Sequence, residues 1–138
     1  MTKDKEKVSG RISSVEKYLK RLGELKIMGR EQIIKREELL DSLVLNLYYV
    51  TQTTIDLADS VISYRGLRQP TSLSEHFEVL YEDKIIDRDL TERLVNMAKF
   101  RNVLAHNYGK LDYDKVFENL YQNLGDIQKF LDIISKKY

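Results

Sequence analysis

The chain lacks cysteine and tryptophan altogether, has one proline and six glycines in 138 residues, and shows almost no charge imbalance, with 23 Lys+Arg against 22 Asp+Glu. Without cysteine there is no disulfide framework, no thiolate metal site and no thiol nucleophile. So few breakers over this length fit one compact domain across residues 1–138 and make two unfavourable. A net charge of +1 announces neither a nucleic-acid nor a membrane partner, so any such partner must be met by a local patch. No run approaches the roughly 18 uninterrupted apolar residues of a membrane span. The longest candidate, residues 39–50, is interrupted by Asp41, Ser42 and Asn46. The N-terminus, Met1 to Lys7, is charged and is followed by no signal-type apolar stretch. The expectation is a soluble, cytoplasmic protein.

What the chain does have is helical rhythm. Val8, Ile12, Val15, Leu19 and Leu22 alternate spacings of four and three, Leu25 and Met28 continue the stripe, and Gly29 offers a stop. A second stripe runs Leu40, Leu43, Leu47, Val50, Thr54, Leu57, Val61, Tyr64, on a long helix starting between Glu31 and Arg36. Arg65 to Pro70 breaks it, and Ser72-Leu73-Ser74-Glu75 then reads as a capping box opening a short third helix with Phe77 and Leu80 inward. Asp87 is placed to cap a fourth helix carrying Leu90, Leu94, Met97 and Leu104, which ends near Gly109. Asp112 is placed to cap a fifth, with Tyr113, Phe117, Leu120, Leu124, Ile127, Leu131 and Ile134 on one face. No segment sustains the period-two alternation of strands. The fold class is all-α, an up-and-down helical bundle of about five helices.

The fourth helix breaks its own rule. Its stripe passes through position 101, which is arginine, so a charge lies on the buried face. Such an arginine snorkels, pairs with an acid, or faces a cleft at the core's edge. The segment Phe100 to Gly109 also holds Asn102, His106, Asn107 and Tyr108. Arginine offers a permanently charged planar fork suited to phosphate. Histidine titrates near neutrality and can take or deliver a proton. No cysteine and no carboxylate cluster accompanies them, so neither a metal site nor a cofactor is expected. Metal-independent RNA cleavage is one of several chemistries these residue types allow, with the ribose 2′-oxygen attacking its own phosphate. On an unbroken helix, at about 100° per residue, Arg101 and His106 are about 140° apart. Their convergence requires the helix to loosen near His106 or a second copy of the chain to complete the site.

The run Arg101-Asn102-Val103-Leu104-Ala105-His106-Asn107-Tyr108 matches Arg-x4-His-x-Tyr and resembles the HepT-like toxins of the HEPN superfamily of helical ribonucleases. The order of helices around the motif is similar over nearly the whole chain. The resemblance implies a HEPN-like fold, Arg101 and His106 as the ribonuclease pair, and Asn102 as the polar residue supporting the arginine. It further implies a homodimer whose two motifs face each other across an RNA-cleaving cleft. The partner it implies is an MntA-type nucleotidyltransferase, the antitoxin of a type VII pair, which transfers AMP to Tyr108. A bulky anion there repels and occludes RNA together.

Each of these residues also has an ordinary structural role open to it. Arg101 can form an ion pair with an acid of helix two, His106 can satisfy last-turn carbonyls, Tyr108 can end a stripe with its hydroxyl in water, and Asn102 can be a surface residue. Lys99, Lys110 and Lys115 lie among Asp112 and Asp114, which favours a solvated face of mixed charge over a basic rim. Tyr48, Tyr49 and Tyr64 have rings on which bases stack, but their helical spacing favours core or interface. His76, beside Phe77, is read as chemically idle. The rival functional readings are a noncatalytic nucleotide- or substrate-binding companion of a nucleotidyltransferase, and a structural dimer whose motif maintains the interface.

Overall fold

A computed structural model describes residues 2–106 and 110–138. They form six helices: α1 (Thr2–Met28), α2 (Arg30–Ile34), α3 (Glu37–Arg65), α4 (Glu75–Glu82), α5 (Arg88–His106) and α6 (Tyr113–Lys137), with no strand among the described residues. One helix more is present than the periodicity indicates. The addition is α2, a five-residue turn too short to display a stripe, anchored by the fully buried Ile33. Gly29, at φ +85, ends α1 and opens α2, which defers the long helix to Glu37.

The helix α1 spans 27 residues and α3 29, so each is about 40 Å long. They pack against each other extensively. The residues joining them, 29–36, reach at most about 28 Å, so the two helices must run antiparallel. The second of these is the hub of the bundle, touching α1, α2, α4, α5 and α6. Its buried row includes Leu43, Leu47, Val50, Leu57 and Val61, as the stripe requires. Val8, Val15, Leu22 and Leu25 of α1 are likewise buried, whereas Met28 is 42% exposed because it lies where the chain turns away into α2. Phe77 of α4 and Phe130 of α6 meet edge to face at 5.6 Å between ring centroids, closing the far side of the core.

Helix ends follow local chemistry. Gly66 adopts a left-handed conformation, and the amides of Gly66 and Leu67 donate to the carbonyls of Ser63 and Ile62. After α4 the same pair of bonds recurs, Lys84 to Tyr81 and Ile85 to Leu80, but with lysine at the left-handed position, φ 62. Half of the capping box forms: Ser72 Oγ accepts from the Glu75 amide at 3.2 Å. The Glu75 carboxylate reaches one residue further back than the box requires, to Thr71, and also pairs with Arg68. Asp87 accepts from the Leu90 amide at 2.8 Å and Asp112 from the Asp114 amide at 3.0 Å, so both cap as expected. None of the described helices is long and apolar enough to cross a membrane.

Candidate active site

Between α3 and the last turns of α5 lies a cleft of about 570 Å³. Helix α3 contributes Asp41, Val44, Leu45, Tyr48 and Tyr49, while α5 contributes Arg101, Leu104, Ala105 and His106. Leu111 and Tyr113 close it at the start of α6. Tyr113, expected on the inner stripe of the last helix, is 40% exposed and faces this cleft instead. The volume is in the range of small-ligand sites, and the wall combines apolar surface with few polar groups.

Arg101 is half-buried and held by neutral partners. Its Nε donates to Gln52 Oε1 at 3.0 Å, Nη2 to the Tyr48 hydroxyl at 3.0 Å, and Nη1 to Asn102 Oδ1 at 3.1 Å. The guanidinium carbon also lies 5.1 Å from the centroid of the Tyr48 ring, a cation–π contact. Gln52 is fixed in turn, its Nε2 donating to Asp56 Oδ1 at 3.0 Å. The ion pair with an acid of the long helix, open to Arg101 on sequence grounds, is absent among the described residues. Asp41 borders the cleft without pairing with Arg101. The arginine's charge is therefore positioned but not neutralised, and one N–H on each terminal nitrogen has no protein acceptor among the described residues.

His106 is exposed, in the last described turn of α5, at the mouth of the same cleft. The helix runs unbroken to it, so loosening before His106 is not what brings the two residues to one site. Arg101 is drawn against α3 by Tyr48 and Gln52, and the cleft is wide enough for both residues to border it from different sides of α5. Asn102 is exposed and supports the arginine directly through its side-chain oxygen. Tyr108 lies outside the described residues. His76 is structural: Nδ1 lies 3.0 Å from the Leu73 carbonyl and Nε2 3.3 Å from Asp59 Oδ1, tying α4 to α3.

Sequence reasoning missed the row Tyr48, Gln52 and Asp56 as the support of Arg101. Its signal was available: three polar side chains at i, i+4 and i+8 on one edge of an otherwise apolar stripe. The misplaced arginine of one helix and the polar row of another are two halves of one feature.

Residues 15–134 match the model of a family described as ribonuclease HepT-like. The mRNA nuclease HepT of Shewanella oneidensis strain MR-1 is 27% identical over 128 residues, covering 92% of this chain and 95% of that protein. A tri-AMPylated HEPN toxin of Shewanella oneidensis, solved in complex with MNT antitoxin, superposes with a TM-score of 0.84 at 27% identity, over 94% of this chain and 96% of that one. A toxin–antitoxin crystal structure with AMP-PNP gives a TM-score of 0.85 at 26% identity, over 95% and 98% of the two chains. With the family model matching residues 15–134 of its 138, this chain belongs to the HepT-like ribonuclease family.

Proposed function

We propose that this protein is the toxin of a type VII toxin–antitoxin pair, a metal-independent endoribonuclease acting on tRNA or mRNA in the cytoplasm. The observation that carries the reading is the setting of Arg101: a guanidinium fixed on three sides by Tyr48, Gln52 and Asn102, with no carboxylate to cancel it, beside a cleft that also holds the chain's one exposed histidine among the described residues. Held by neutral oxygens beside a cleft, the guanidinium keeps its full charge for a phosphate.

His106 takes the proton of a ribose 2′-hydroxyl. The 2′-oxygen attacks the adjacent phosphorus, and Arg101 stabilises the charge that builds on the non-bridging oxygens. The bond to the 5′-oxygen breaks, that oxygen takes a proton from water or from a second imidazolium, and a 2′,3′-cyclic phosphate remains. A homodimer with facing motifs supplies the second imidazolium. Asn102 is a positioning residue for Arg101. Tyr108, two residues beyond His106, receives AMP from an MntA-type antitoxin, and the added phosphate then occupies the arginine meant for RNA.

The test is induced expression of wild type, His106→Ala and Arg101→Ala at matched protein levels, with growth followed and total RNA examined for new fragments. Only wild type is expected to arrest growth and cut RNA, with cyclic-phosphate ends and no sensitivity to chelators. Fragments that persist unchanged in both variants would remove the catalytic assignment. Intact RNA with all three proteins would move the noncatalytic companion reading ahead.

A further inference from the structure

The nine arginines of the chain are not treated alike. Six of them, Arg30, Arg36, Arg65, Arg68, Arg88 and Arg93, pair with carboxylates. Among the described residues Arg11, Arg21 and Arg101 do not. Two of these three lie over tyrosine rings at opposite ends of one continuous row. Arg101 sits 5.1 Å from the Tyr48 ring, Tyr48 and Tyr49 are 5.8 Å apart, Tyr49 and Tyr18 are 5.3 Å apart, and Arg21 is 5.5 Å from Tyr18. Lys17, also unpaired among the described residues, adds a second cation at 5.4 Å from Tyr18. The row thus starts inside the cleft, leaves it at Tyr49, and ends on α1.

We propose that Tyr48, Tyr49 and Tyr18, with Lys17 and Arg21 at the outer end, form a track that carries single-stranded RNA away from the cleft. The proposal rests on the ribonuclease reading and adds to it where the rest of the strand lies. Tyr49 is 38% exposed although aromatic, and its ring is tilted 37° from Tyr18 and 59° from Tyr48, so the rings do not close into a stack of their own. Bases stack on exposed tyrosines without regard to sequence, and neighbouring cations hold the phosphates between them. The chain's overall neutrality makes the local pattern informative: six of the nine arginines are cancelled by acids, whereas Arg101 and Arg21, at the two ends of this row, are not among the described residues. A protein partner would be met by an apolar patch poor in lysine, whereas a run of rings continuous with the cleft and flanked by cations at both ends fits a strand whose bases lie on the rings and whose phosphates meet Arg101 at one end and Lys17 and Arg21 at the other.

Binding of a fluorescent twelve-nucleotide RNA, 2′-O-methylated throughout so that it cannot be cut, is measured by anisotropy at several salt concentrations. Tyr49→Leu and Arg21→Gln are each expected to weaken binding about tenfold, with Tyr49→Phe within twofold of wild type. Arg21→Gln should also flatten the plot of log affinity against log salt by about 0.7, the share of one phosphate on a single strand. Arg21 is on the surface, so this variant reads the track even if Tyr49→Leu loosens the contact with Tyr18; helicity by circular dichroism checks both. Wild-type affinity in both variants, or loss only of antitoxin binding, would overturn the track and leave cleavage untouched. Weakened binding by a protein that never cuts RNA would uphold the track and sink the ribonuclease reading.

Discussion

Replacing Tyr48 with phenylalanine removes one oxygen and leaves the ring, so it separates the hydrogen bond to Arg101 from the cation–π contact. A hydrogen bond to a charged group contributes about 1.5–3 kcal/mol, and because both side chains are half-buried the lower end applies, about 1.5 kcal/mol. If that bond serves to hold the guanidinium where phosphate charge develops, its loss lowers kcat/KM about tenfold. The fall should appear in kcat with KM nearly constant, because the interaction matters most in the transition state. The assay is cleavage of a defined oligoribonucleotide, with fold checked by thermal melting. The residual cleavage of Arg101→Ala, read in vitro at high enzyme concentration, provides the control: in that background Tyr48→Phe should change nothing, as two substitutions on one interaction do not add. An unchanged rate in the wild-type background, or the same tenfold loss without Arg101, would refute the view that Tyr48 acts through the arginine.

Two further predictions concern the frame around the site. Hydrogen bonds from Thr71, then from Arg68, hold the Glu75 carboxyl down at about 2 against an ordinary 4.5. A depressed folded value means stability that is present above pH 4.5 and lost as pH falls towards about 2. The melting-temperature gap between wild type and Glu75→Gln should therefore be open at pH 6 and closed near pH 2, and a constant gap would contradict it. At the left-handed positions Gly66→Ala should destabilise by about 1 kcal/mol in chemical unfolding, although open space surrounds it, whereas Lys84→Gly should stabilise by about 0.5–1 kcal/mol. Equal effects of the same sign at both sites would refute the backbone argument.

Most of the bundle was legible because long helices repeat their signal. The stripe of α3 has six buried positions, from Leu43 to Val61, so a single polar intrusion such as Thr54, whose hydroxyl donates to the Val50 carbonyl, does not hide it. The element that went unseen, α2, has one buried residue, Ile33, and one such residue has no period. Met28 and Tyr113 kept the rhythm of their helices yet emerged at the surface, since a stripe continues in sequence past the point where its partner helix ends. Periodicity reports the helix itself and not the length of its neighbour.

The candidate site was legible for the opposite reason, as a break in pattern. Arg101 on a buried face costs desolvation, and the bundle keeps it by offering neutral oxygens of Tyr48, Gln52 and Asn102 in place of a carboxylate. That choice is not visible along α5, because two of the three acceptors lie about fifty residues earlier, on another helix. The distinction between a structural and a chemical arginine is therefore a tertiary one: the same residue on the same stripe, facing a glutamate in place of Gln52, would be a neutral strut. Gln52→Glu makes that replacement in nearly equal volume. It should strengthen the hold on Arg101 but lose the donation to Asp56 and set two carboxylates together, leaving stability unchanged or lowered, while weakening the attraction for an RNA phosphate through the added negative charge. A protein whose Gln52→Glu form binds and cuts RNA as well as wild type would show that the arginine's uncancelled charge is not what the cleft preserves.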